Sequence, residues 1–447
     1  MDEVTSATVT SSSLPSRSKT GQLFHTGARR LPIRPTPPVH HKASRVIEEA
    51  LKAIVSRGEL AGAVAVVWHD GQVVDSASVG AQDSSSGRPM RRDTLFRIAS
   101  MTKPITSTVA LMLHEEGRFD LDDPITNWAP ELSDLYVLAA EDSLDEGTVP
   151  AGRDITFADL LTHRSGITYA DFHSGRIAEA YAEALGRQID GEWTPDEWVA
   201  RLGGLPLIDE PGMNFHYGHS TDLLGFLLAR MEDASVSDVF AQRIFQPLGM
   251  TDTGFTVPPE KTGRCAANHG FDDHGRPCVL YTVPGGHAVA ARPPASTFFS
   301  GGQGLWSTAD DYVTFARMFV EGGTVDGVRL LKPATLTLMT SNHLTAAQSA
   351  TADMLGRRPF AAGHGYGMGV AVVIDPEAAD VTLCGGGAGA VGWPGAYGSW
   401  WQADPNDRSV MVLLTHNMVT LDQLANGIGF GVWDAITQFQ ATTPHAG

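Results

Sequence analysis

The sequence predicts an α/β domain assembled from both ends of the chain and interrupted by a mainly helical stretch. Three observations predict it: a strand hairpin near the N-terminus, helical spacing through the middle, and a return to glycine-punctuated strands after residue 366. At 447 residues the chain is too long for one compact core, so two domains or one large composite domain is expected. These patterns set a flexible tail over 1–42, a discontinuous α/β domain over 43–115 and 296–447, and a mainly helical domain over 116–295.

Residues 1–42 are rich in Ser, Thr, Pro and Arg and lack periodicity, the composition of an unstructured tail. Apolar positions then fall at helical spacing from Ala43 through Ile47 to Leu51. A Val/Ala-rich strand over 62–68 meets Asp70-Gly71, which turns it into a second strand over 72–79; Asp-Gly between two such runs is a hairpin signal. A helix begins at Ser100 and runs to Gly117, placed as its C′ glycine. Residues 134–154, rich in Asp, Glu, Gly and Pro, form an exposed insertion. Helical patterns cover 156–162, 176–185, 194–202, 220–232 and 237–245, and another helix starts at an N-cap Ser307 or Thr308. Strands are expected over 366–374, 379–384, 396–403 and 409–416, and a closing amphipathic helix over 421–439.

A net charge of −19 argues against nucleic acid or an anionic membrane surface as partner, since both call for clustered Lys and Arg. No run reaches the ~18 to 20 apolar residues of a spanning helix. Cys265, Cys278 and Cys384 are too few for a disulfide framework and fit a reducing compartment. Arg29-Arg30 is followed by a proline-rich stretch with no apolar region, which is not an export signal, so a cytoplasmic location is expected.

The chemistry centres on Ser100-Met101-Thr102-Lys103. Positions i and i+3 share one helix face, about 5 to 6 Å apart at Cβ. A serine hydroxyl is a weak nucleophile until a base takes its proton, and a buried lysine is able to do so. The tail carries a second Ser-x-x-Lys over 16–19, dismissed because it lies in unstructured sequence. Tyr217, just before the helix over 220–232, supplies a phenol able to hold or relay that proton.

With these two segments the chain resembles the class C β-lactamase-like serine hydrolases, and within them the family VIII carboxylesterases. Residues 160–167 (Leu-Leu-Thr-His-Arg-Ser-Gly-Ile), 246–253 (Gln-Pro-Leu-Gly-Met-Thr-Asp-Thr) and 302–311 (Gly-Gln-Gly-Leu-Trp-Ser-Thr-Ala-Asp-Asp) have the family's cast and order, over about residues 45–440. The resemblance implies an antiparallel sheet flanked by helices, with an inserted helical domain. It implies Ser100 as acylated nucleophile, Lys103 as its activating partner and Tyr217 as second base or relay; either of the two bases fits the first proton transfer. The family's third motif is best matched by Gly392-Trp393-Pro394-Gly395-Ala396, with Trp393 lining the acyl pocket and the Ala396 N–H joining that of Ser100 as the oxyanion hole. Lys261-Thr262-Gly263 spells the β-lactamase form but precedes the C-terminal strands and is set aside as a decoy. Trp393 replaces the cation that would hold a β-lactam carboxylate, and His219 stands where β-lactamases usually have Asn; both departures favour esters.

Gly387 to Gly392 spells Gly-x-Gly-x-x-Gly but runs into Trp393-Pro394 rather than a helix, so a dinucleotide role is rejected. Cys265, His269, His274 and Cys278 lie among turn residues, a hairpin rather than a zinc site. The resulting expectation is a carboxylesterase for short to medium acyl chains, needing no cofactor or metal, with a small-molecule ester as partner. The alternatives are an acyltransferase, a β-lactamase or D-amino-acid peptidase, and a non-catalytic sensor or scaffold.

Overall fold

The computed structural model describes residues 43–140, 144–186, 189–191, 193–272, 274–280, 297–420, 423 and 426–442. The predicted tail, with its Ser-x-x-Lys at 16–19, lies outside them, as do residues 141–143 of the predicted insertion. An eight-stranded sheet forms the body of the fold. In chain order its strands are β1 (Gly62–His69), β2 (Gln72–Asp83), β3 (Arg88–Pro89), β4 (His364–Tyr366), β5 (Ala371–Val373), β6 (Val391–Gly392), β7 (Trp400–Asp404) and β8 (Ser409–Thr415). They lie in the order β4-β5-β6-β7-β8-β1-β2-β3, every neighbouring pair antiparallel. β1 pairs with β8 from Ala63 opposite Thr415 to His69 opposite Ser409, so early and late segments of the chain meet inside one sheet.

Five of the helices frame the sheet and the Ser100 segment: α1 (Ala43–Ser56), α2 (Thr102–Glu115), α3 (Ser220–Glu232), α4 (Ala309–Val320) and α5 (Gly431–Thr442). Successive strand side chains point to opposite faces, and β1 is apolar on both. Ala63, Ala65 and Val67 join Ile47 and Leu51 of α1 and Ile436 and Phe439 of α5 in one core. Val64, Val66 and Trp68 join a second core with Tyr312 and Phe319 of α4. That second core continues without a break through Ile105 and Val109 of α2 into Leu223 and Leu227 of α3. Each fully buried aliphatic or aromatic side chain is worth about 1.5–3 kcal/mol relative to exposure, so α2 is held from both sides. Among the described residues, no helix is long and apolar enough to cross a membrane.

The hairpin at Asp70-Gly71 forms with φ of 45° and 96°, both positive as a tight antiparallel turn demands. The segment predicted as one strand over 366–374 is instead a hairpin of β4 and β5, folded where Gly367 N–H donates to the Val370 carbonyl at 2.8 Å. No strand forms over 379–384: the Asp380 carboxylate accepts from the N–H and hydroxyl of Thr382 and turns the chain locally. The strand predicted from 396 starts only at Trp400. The helix predicted over 237–245 is α-helical over Val236–Phe240 and widens to a π turn over Ala241–Phe245. Of the closing helix, Gly431–Thr442 is helical, while residues 421, 422, 424 and 425 lie outside the described ones.

Candidate active site

The Ser100 segment is placed by a short antiparallel pair, Phe96 opposite Ser307 and Arg97 opposite Trp306. Ala99 then takes a left-handed φ of 45°, a conformation that costs an L-residue with a Cβ about 1–2 kcal/mol. This kink swings Ser100 into a 3-10 turn over Ala99–Met101, and α2 begins only at Thr102. Ser100 therefore sits on the turn leading into the helix rather than capping it, and it retains access to a cavity.

Lys103 is fully buried. Its Nζ lies 3.3 Å from Ser100 Oγ, 3.2 Å from Tyr169 Oη and 2.9 Å from the Gly302 carbonyl oxygen. Three oxygens thus surround the amine. The amine also stands over the Tyr217 ring, 4.6 Å from its centroid. Tyr217 is buried and its Oη accepts a hydrogen bond from Trp393 Nε1 at 3.0 Å.

Asp222, on the first turn of α3, is the anion of this site. It is 1% exposed and accepts from His219 Nδ1 at 2.9 Å, from Gly302 N–H at 3.0 Å and from the Ser300 hydroxyl. Burial pushes its carboxyl up, but the hydrogen bond and charge of His219, the charge of Lys103 and the Ser300 hydroxyl outweigh burial and hold it below the usual carboxylate range. Burial and the Asp222 charge hold the Tyr169 phenol well above its ordinary value, so it stays protonated beside the lysine. Underneath, burial and then the Lys103 charge push the His163 imidazole well down, leaving it neutral.

The segment after β6 closes the other wall. Gly395 approaches the turn at Ser100 so tightly that a Cβ there would stand 2.5 Å from the Ile98 carbonyl oxygen. Gly395→Ala must therefore push the Trp393–Ala396 wall away from Ser100. A displacement of that kind should lower kcat/KM about 100-fold while the thermal unfolding midpoint moves little, which paired kinetics and melting curves will check.

Ser100, Tyr217, His219, Trp393, Gly395 and Ala396 all line one cavity of about 810 Å³, with Lys103 directly behind Ser100. Met354, Leu355, Phe430, Trp433 and Ile436 add apolar lining, beside the ion-paired Arg357 and Asp380. Lys261 of the decoy motif lies in a separate 3-10 turn, paired with Asp252 at 2.8 Å. The glycine-rich 387–392 segment makes a turn into β6, and no helix follows it. Cys278 and His269 sit on the two strands of a hairpin, His269–Phe271 with Pro277–Val279. Sequence reasoning missed Tyr169, Asp222 and the Gly302 carbonyl. An acidic residue in a first helical turn ordinarily signals a favourable dipole contact, and that plain explanation hid Asp222.

Fold and site together define a serine hydrolase built on the β-lactamase scaffold, and comparison with known proteins agrees. The chain belongs to the beta-lactamase family, whose model matches residues 45–427. It is 42% identical over 370 residues to Protein Rv1367c of Mycobacterium tuberculosis, covering 83% of this chain and 89% of that one. It is 31% identical over 382 residues to Esterase EstB of Burkholderia gladioli, covering 83% and 88%. Among solved structures, EstCE1, described as a hydrolase with promiscuous acyltransferase activity, superposes with a TM-score of 0.70 at 24% identity, covering 89% of this chain and 98% of that one.

Proposed function

We propose that this protein hydrolyses carboxylic esters through an acyl-enzyme on Ser100. The observation that carries the reading is the 3.3 Å contact between Ser100 Oγ and the buried Lys103 Nζ at the wall of an open cavity. The Ser100 proton passes to the Lys103–Tyr217 pair as Oγ attacks the ester carbonyl, and that pair returns it to the departing alkoxide. The Ser100 and Ala396 N–H groups receive the oxyanion. Water then attacks the acyl-enzyme and releases the acid. The neutral indole of Trp393, fixed on Tyr217, supports esters over β-lactams, because it offers no cation for a β-lactam carboxylate. The esterase relative supports the same choice.

The apolar lining gives room beyond the short and medium acyl chains expected from sequence. A panel of p-nitrophenyl esters from acetate to laurate, run beside nitrocefin, tests the reading. Ester turnover, negligible nitrocefin turnover and an acyl adduct mapped to the Ser100 peptide by mass spectrometry are expected. Nitrocefin turned over faster than every ester would sink it. A second reading, acyl transfer to an alcohol, is favoured by the size of the cavity and by the description of EstCE1; product formation that accelerates with added alcohol would single it out.

A further inference from the structure

His219 is a pocket residue with one nitrogen already assigned. It precedes α3, and its Nδ1 lies 2.9 Å from Asp222 Oδ2. Asp222 is held ionised and can only accept, so Nδ1 carries a proton. Tyr169 packs on the ring edge-to-face with centroids 4.4 Å apart, and Trp198 does so at 5.4 Å, which fixes its plane. The side chain is 10% exposed and lines the same cavity as Ser100. The ring nitrogen not engaged by Asp222 is Nε2, which accepts a hydrogen bond when the ring carries its single proton on Nδ1. His163, one layer below, differs: Gly218 N–H meets its Nδ1 at 3.4 Å and the Thr221 hydroxyl its Nε2 at 3.3 Å.

The cavity lining also carries Asp171 and Gln303, whereas the polar groups in contact with Lys103 are already engaged. Lys103 Nζ is already in contact with Ser100, Tyr169 and Gly302. Tyr217 Oη already accepts from Trp393. A water or alcohol that attacks an acyl carbonyl must present its lone pair to carbon, and its O–H then needs an acceptor.

We propose that His219 is the acceptor-side contact of the site: its Nε2 receives the O–H of the water or alcohol that attacks the acyl-enzyme and orients that oxygen. The proposal rests on the acyl-enzyme reading of Ser100 and adds the residue that binds the second reactant. Asp222 acts through it as a positioning residue that sets the tautomer.

The test separates the two half-reactions. His219→Gln and His219→Phe are compared with the parent by stopped flow on p-nitrophenyl butyrate, with thermal melts to establish folding. Steady-state turnover should drop about tenfold in His219→Phe, roughly what one hydrogen bond is worth, and further than release of the first equivalent. A burst is thereby kept or becomes newly visible. With added 1-butanol, the share of butyl butyrate among the products should shift in both variants. Turnover and product share unchanged in folded His219→Phe overturn the proposal, as does an equal loss in both phases. Ser100→Ala distinguishes the two layers: if it still releases a burst, the acyl-enzyme reading itself fails, whatever the His219 variants show.

Discussion

Replacing Ser100 by Ala should bring ester hydrolysis down to the uncatalysed background, and Lys103→Met should cost nearly as much, about 10³- to 10⁴-fold in kcat. Methionine keeps the volume of the lysine stem, so the buried slot beside Tyr217 stays filled and only the amine is lost. The Ser100 hydroxyl then has no base at 3.3 Å, and the turn over Ala99–Met101 presents an inert oxygen. Because the two residues act as one unit, the double variant should be hardly worse than either single one. Four kcat/KM values for one p-nitrophenyl ester, those of the parent, the two single variants and the double variant, with melting curves to show intact folds, decide this. Lys103→Met within tenfold of the parent would mean that another group takes the serine proton.

This pair was legible in the sequence because its geometry is local: three residues of helical spacing nearly suffice to bring the two side chains together. The Asp70-Gly71 hairpin was legible for the same reason, since two adjacent positive φ angles dictate it. The meeting of early and late strands is not local, yet strand patterns at both ends of a helical middle pointed to it. What stayed hidden came from long range. Tyr169 and Gly302 reach Lys103 from 66 and 199 positions away, and nothing in either segment announces a lysine as its partner. The misread strand over 379–384 shows the opposite failure. Its Val-Thr-Leu-Cys run has strand propensity, but one carboxylate, Asp380, captures Thr382 and folds the chain into turns. Ser100 itself was placed inside its helix rather than on the turn before it, because the left-handed kink at Ala99 has no sequence signal when the residue is alanine.

Asp222→Asn should damage stability and activity together, and the pH at which it does so identifies the cause. Asp222 is the buried countercharge to Lys103 and takes hydrogen bonds from His219, Ser300 and Gly302. The amide of asparagine keeps the shape but removes the charge and sets an N–H donor against groups that already donate. Breaking a buried charged network in this way costs about 3–5 kcal/mol. The lysine then lacks its neutralising partner, and kcat should fall about 100-fold as Ser100, Lys103 and Tyr169 lose their registration. The folded carboxyl lies below its ordinary value of about 3.9. Its contribution is therefore complete above that value and disappears as pH falls through the folded one. Parent and Asp222→Asn should thus differ most in unfolding free energy at neutral pH and converge below about pH 4. A gap that stays constant across that window would place the loss in hydrogen-bond geometry alone. A gap that closes would place it in the charge that faces Lys103.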